Sequence, residues 1–108
     1  MTRNQILSEE LDLIKKKMIR YYQPEKIIVF GSYVGGNVKQ TSDLDIAIIK
    51  KTSAKFLDRL KEVALLTRPK VGVDFLVYTP EEFKKMKEQE NLFIKEIEKG
   101  EIIYDENK

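Results

Sequence analysis

The first apolar pattern in the chain is a helical stripe. Leu7, Leu11, Ile14, Met18 and Tyr21 recur at spacings of four, three, four and three. That spacing gathers them on one side of a helix over Thr2–Tyr22. Thr2 and Gln5 fit a capping box, Lys15, Lys16 and Lys17 read as a solvated face, and Pro24 ends the helix. The pattern then changes to short apolar runs. Lys26–Phe30 carries Ile27, Ile28, Val29 and Phe30 in succession, with Pro24 before and Gly31 after, which predicts a strand buried on both faces. Ser32 is expected to cap a short turn through Tyr33 and Val34. Gly35, Gly36 and Asn37 break that turn, and Val38 to Ser42 form a polar connection.

Leu44–Ile49 is a second strand. Ser53–Leu66 is a second helix, with Ser53 as N-cap and Phe56, Leu57, Leu60, Val63 and Ala64 as its buried stripe. Val71–Tyr78 is a third strand, where alternation puts Val73, Phe75 and Val77 on one face and Asp74, Leu76 and Tyr78 on the other. Thr79-Pro80-Glu81-Glu82 opens another helix, packed through Phe83 and Met86. Leu92–Lys99 is a last helix with Gly100 as its C′ residue. Ile102, Ile103 and Tyr104 add an edge strand, and the tail Asp105–Lys108 is expected to fray. This order predicts an α/β (α+β) fold, a small mixed β-sheet flanked by helices, in one domain over residues 1–108.

Composition narrows the chemistry. The 108 residues include 20 basic and 18 acidic side chains, for a net charge of +2. That balance argues against a dedicated nucleic-acid site. There is no Cys and no His, which removes thiolate and imidazole metal sites and every Ser-His arrangement. Carboxylates, hydroxyls, Lys, Arg and a hard metal remain. The amphipathic N-terminal stretch does not read as a signal peptide, and no run reaches membrane-spanning length. A cytoplasmic protein without membrane contact is expected.

The candidate chemistry lies between Phe30 and Lys50. Asp43 and Asp45, two residues apart at the second strand, project the same way and repel unless a cation sits between them. Mg²⁺ prefers such oxygen ligands together with substrate phosphates. Asp74 is the one acid of the third strand, in the apolar run VGVDFLVY. A charge there is expected to need a partner. Gly31-Ser32 offers close backbone approach and a hydroxyl donor to a phosphate. Taken singly, Gly-Ser is a turn, Asp43-Leu44-Asp45 is turn chemistry and Asp74 is a surface acid. One metal site accounts for all three together.

The set resembles the nucleotidyltransferase superfamily related to DNA polymerase β, and within it the minimal members, the MNT proteins. Their pattern is a hydrophobic strand, Gly-Ser, a ten-residue spacer, Asp-x-Asp and a later strand Asp. Here it reads IIVFGS, ten residues, Asp43-Leu44-Asp45 and then Asp74. The ending IKEIEKGEIIYDE is similar to their closing helix and strand. The resemblance implies nucleotidyl transfer with Mg²⁺, two ions being expected, from a nucleoside triphosphate, ATP being expected. Gly31 and Ser32 would hold its β- and γ-phosphates. Asp43 and Asp45 would bind the metals, and Asp74 would complete the metal site and help activate an acceptor hydroxyl. Where many relatives follow Gly-Ser-x with Ala and often Arg, this chain has Val34 and Gly35. Lys39, Lys50 and Arg68 could substitute for that Arg, but surface charge is the better reading of all three.

From the small size, the acceptor site is expected to be shared with another polypeptide or to be very open. MNT proteins typically partner HEPN-domain proteins as antitoxins, and some adenylylate a tyrosine on the toxin. The resemblance therefore implies a protein adenylyltransferase acting on a HEPN partner, with homo-oligomers left open. The alternative is a non-catalytic module that binds nucleotide or masks a HEPN protein. Transfer to a small molecule such as an aminoglycoside ranks below both, because such enzymes generally carry a further domain.

Overall fold

The computed structural model describes residues 1–108. The elements follow as α1 (Arg3–Lys17), β1 (Lys26–Phe30), α2 (Ser32–Gly35), β2 (Leu44–Ile49), α3 (Phe56–Thr67), β3 (Val73–Tyr78), α4 (Pro80–Glu88), α5 (Leu92–Glu98) and β4 (Glu101–Asp105). The four strands form one mixed sheet in the order β3-β2-β1-β4. β1 runs antiparallel to both β2 and β4, and β2 runs parallel to β3. The predicted class and the edge strand therefore hold. No helix is long and apolar enough to cross a membrane.

Helices cover both sheet faces, which explains the unbroken apolar runs of β1 and β2. On one face Ile27, Val29, Leu44, Ile46, Ile48 and Val77 pack with Leu7, Leu11, Ile14 and Met18 of the first helix and Val63 of α3. On the other, Ile28, Phe30 and Ala47 pack with Ile94 and Ile97 of α5, flanked by Phe83 and Met86 of α4. By strand alternation Asp45 and Asp74 belong to this second face. Both predicted capping boxes form, Thr2 with Gln5 and Thr79 with Glu82.

The first helix departs from its predicted stripe at one place. A π-helical turn over Met18–Tyr22 closes it and inserts an extra residue into the repeat. Tyr22 therefore takes the core position expected for Tyr21, which is 64% exposed. Gln23, in the left-handed conformation, donates to the Met18 carbonyl and completes the stop before Pro24.

The helix also braces the loops around the acids. Arg3 Nε donates to Ser42 O at 2.9 Å, Glu10 Oε2 accepts from Lys70 N at 2.6 Å, and Lys17 Nζ donates to Thr67 O at 3.0 Å. Spacings of seven put these three residues on one side of α1. They fasten the approach to β2 and the approach to β3.

α3 is rotated from the expected stripe. Arg59, Val63 and Thr67 are buried, while Leu57 is 68% exposed and Ala64 is also outside. The cause is Arg59. Its guanidinium finds Ala54 O at 2.8 Å, Val77 O at 3.1 Å and Glu82 Oε1 at 2.7 Å, so it turns inward. Phe56 moves to the rim against Tyr78, with ring centroids 6.0 Å apart. The helix starts later than Ser53, and Lys55 stands at its N-cap without a side-chain hydrogen bond. The C-terminal tail is also more ordered than expected. Asp105 belongs to β4, and Glu106 N donates to Glu25 O.

Candidate active site

β2 and β3 lie in register so that Asp45 stands opposite Asp74. Across the antiparallel ladder Asp45 faces Phe30, the last residue of β1. The Gly-Ser turn follows at once. One sheet end therefore brings together Gly31, Ser32, Asp45 and Asp74.

Gly31 has a role that the sequence did not reveal. It adopts a positive φ of 80°, and a Cβ there would overlap Asp45 Oδ2. The glycine makes room for the carboxylate as well as for the turn. Gly31 also takes the N-cap position of α2. Ser32 is the first helical residue rather than the cap, so its hydroxyl is not committed to the helix start.

Asp43 lies just ahead of β2 and is housed the same way. Leu44 N donates to Gly72 O at 3.1 Å, which draws Gly72 against the acid. A Cβ on Gly72 would stand 2.5–2.7 Å from the three carboxylate atoms of Asp43. Gly72→Ala is accordingly expected to displace Asp43 while leaving the fold in place. A displacement near 1 Å lowers activity about a hundredfold. Transfer kinetics set beside a circular-dichroism melt read the two effects separately. A fully active Gly72→Ala enzyme would contradict this role.

Asp45 titrates above the usual carboxylate range. Burial is the main cause, followed by the Asp74 charge, a hydrogen bond shared with the Asp74 carboxyl group, and the Asp43 charge. Asp74 itself is exposed on the edge strand. Its apolar context therefore does not bury it as expected, and its nearest partner is another acid.

No three acidic side chains close around one point as they stand. Asp45 and Asp74 pair, while Asp43 turns toward Arg3 with 3.6 Å between Nη2 and Oδ1. The donor set is nonetheless all oxygen, and burial together with its crowding raises the Asp45 pKa. A hard divalent cation is the counter-charge such a pair lacks, so these residues fit Mg²⁺.

Arg3 is a site neighbour that sequence reading missed. It lies 40 positions from Asp43, and no local pattern marks it. Of the cations weighed as replacements for the missing Arg, Lys50 donates to Tyr22 O at 2.6 Å and sits over that ring. Neither Lys39 nor Arg68 lines the cavity at Gly31 and Ser32, but Lys99 does.

Two cavities flank the acids. One, of about 450 Å³, lies between α2 and the end of α5, with Gly31, Ser32, Asn37, Glu96 and Lys99 on its wall. The other, of about 590 Å³, wraps the edge strand β3, with Phe30, Leu76 and Phe93 beside Asp45 and Asp74 and with Leu60 and Phe75 on the opposite sheet face. Phe93 meets Phe30 edge-on at 5.9 Å, so α5 reaches both cavities.

The profile of the family described as Polymerase beta, Nucleotidyltransferase matches residues 12–108. A Haemophilus influenzae protein named probable protein adenylyltransferase MntA is 37% identical over 98 residues, which cover 87% of this chain and 86% of the relative. The crystal structure of a candidate nucleotidyltransferase from Sulfolobus solfataricus matches with a TM-score of 0.65. It is 19% identical, over 96% of this chain and 84% of that one, and supports the fold alone.

Proposed function

The chain belongs to the polymerase β nucleotidyltransferase family, and on that premise we propose that it moves AMP from ATP, with Mg²⁺, to a hydroxyl on a partner protein. The acceptor in this reading is a tyrosine of a HEPN-domain toxin, and the chain is its antitoxin. The observation that carries the reading is the Asp45–Asp74 pair set against the Gly31-Ser32 turn.

Asp43, Asp45 and Asp74 would hold the metal, which supplies charge neutralisation to the phosphates. Ser32 donates its hydroxyl to the β,γ-phosphate tail. Asp74, exposed on the edge strand beside Asp45, accepts the proton of the acceptor hydroxyl. The hydroxyl oxygen bonds to the α-phosphorus, the bond to the β-bridging oxygen breaks, and pyrophosphate leaves. The work of these side chains is positioning and charge balance, as in phosphoryl transfer generally.

The apolar side chains Phe30, Leu76 and Phe93 beside the acids support an acceptor carried on an apolar or aromatic group, and the Haemophilus relative's name supports adenylyl transfer to protein. The test mixes the protein, labelled ATP, Mg²⁺ and a HEPN partner. Label is expected on a partner tyrosine, and is expected to vanish with Asp43→Ala/Asp45→Ala. No transfer, together with equal toxin neutralisation by the double variant, would favour a non-catalytic masking module.

A further inference from the structure

We infer that Lys99 is the cation that receives the β- and γ-phosphates of the bound nucleotide, in the cavity between α2 and α5. This rests on the nucleotidyl-transfer reading above and names a residue it lacked. Gly31 separates the two halves of the site. The Asp45 carboxylate lies against it on one side, and the cavity opens on the other. A nucleotide with its α-phosphate at Asp45 therefore runs its tail past Gly31 and Ser32 into that cavity. Lys99 is the only basic residue on the cavity wall.

The placement of Lys99 is structural. It is the C-cap of α5, and Gly100 behind it packs against the end of β1. A Cβ on Gly100 would overlap Val29 O and stand 2.9 Å from Phe30 Cβ. Only glycine lets the helix end sit this close, and that contact holds the Lys99 backbone beside the Gly-Ser turn.

Without nucleotide Lys99 is not idle. Its Nζ lies 3.3 Å from Glu96 Oε1, one turn earlier on the same wall, with both side chains well exposed. An exposed pair of this kind holds its partner weakly. A polyphosphate carries more charge than one carboxylate, so Lys99 exchanges Glu96 for the phosphates and Glu96 is left facing an anion. The two residues therefore act with opposite sign: Lys99 draws the tail in and Glu96 competes with it.

Titration calorimetry with Mg²⁺ and ATP, ADP or AMP tests this on the intact protein. Lys99→Ala is expected to bind ATP and ADP about tenfold more weakly, with AMP affinity changed less than about twofold. Lys99→Arg is expected to restore most of the loss. Glu96→Gln is expected to bind ATP about threefold more tightly. Equal ATP affinity of wild type and Lys99→Ala overturns the inference, and so does a loss that falls on AMP as heavily as on ATP. Wild-type protein that binds no nucleotide overturns this inference together with the reading beneath it. Wild-type binding with an indifferent Lys99 overturns this one alone.

Discussion

Asp45→Asn is expected to melt at a higher temperature than the wild type while losing nucleotidyl transfer on the order of a thousandfold. Both effects come from one charge. Asp45 is partly buried between Phe30 and Asp74, and its folded pKa is raised. For an acid, a raised folded pKa means that the ionised form opposes folding. At neutral pH the carboxylate therefore costs stability that the neutral amide does not. Asn also keeps the shape and can donate to Asp74 where Asp45 repels it. Each kcal/mol of relief raises the melting temperature by about 4–8 °C in a domain of this size.

Saturating Mg²⁺ with ATP should reverse the order. Ligand that binds only the folded protein stabilises the wild type by mass action, and in the proposed reading Asp45→Asn lacks a carboxylate oxygen that would hold the metal. Differential scanning fluorimetry with and without Mg²⁺ and ATP reads this independently of catalysis. A variant that melts lower than wild type in both conditions would count against the carboxylate-crowding account.

The second large effect falls far from the chemistry. Arg59→Ala is expected to destabilise the protein by about 3 kcal/mol, measured by urea unfolding at pH 7. The guanidinium is buried and joins α3 to the Ala54 and Val77 carbonyls and to Glu82 of α4. Its removal leaves two carbonyls short of a donor and opens the space it filled. Glu82→Gln should cost less, about 1 kcal/mol, because Glu82 is well exposed and Arg59 keeps both carbonyl acceptors. The Arg59 hydrogen bond is the main cause of the lowered Glu82 pKa. A depressed acid adds stability that is complete above the unfolded value of about 4.3. That stability is lost as pH falls toward and through the folded value. The gap between wild type and Glu82→Gln should therefore be constant near neutrality and close in acid. A gap that persists well below pH 4 would contradict this pairing.

The strands and capping boxes were legible because their signals are local. IIVF and LDIAII are apolar on both faces because helices cover both, and Thr79-Pro80-Glu81-Glu82 carries its own start signal. The spacing of Gly31-Ser32, Asp43, Asp45 and Asp74 pointed to one end of the sheet, and the register sets Asp45 opposite Asp74 there. What stayed hidden depends on distant partners. An Arg in the middle of α3 looks solvent-facing until carbonyls from another strand appear beside it. A π-helical turn moves burial from Tyr21 to Tyr22 without any change in apolar spacing before it. No local pattern marks Arg3 or Lys99 for the site, because the acid and the turn they accompany lie many residues away. Gly72 read as part of a strand, and its purpose shows only where the Asp43 carboxylate occupies the place of its missing Cβ.

The central position of β1 also sets an order of assembly. A chain leaving the ribosome presents Asp43, Asp45 and Asp74 well before Glu101–Asp105 exists to pair with the second edge of β1. The brace from α1 reaches across 60 positions, from Glu10 to Lys70, so it is available as soon as the approach to β3 exists. The wall that carries Glu96, Lys99 and Gly100 is synthesised after all three acids. During translation the acids are therefore made first, and the cavity beside the Gly31-Ser32 turn forms only once α5 and Gly100 reach the end of β1.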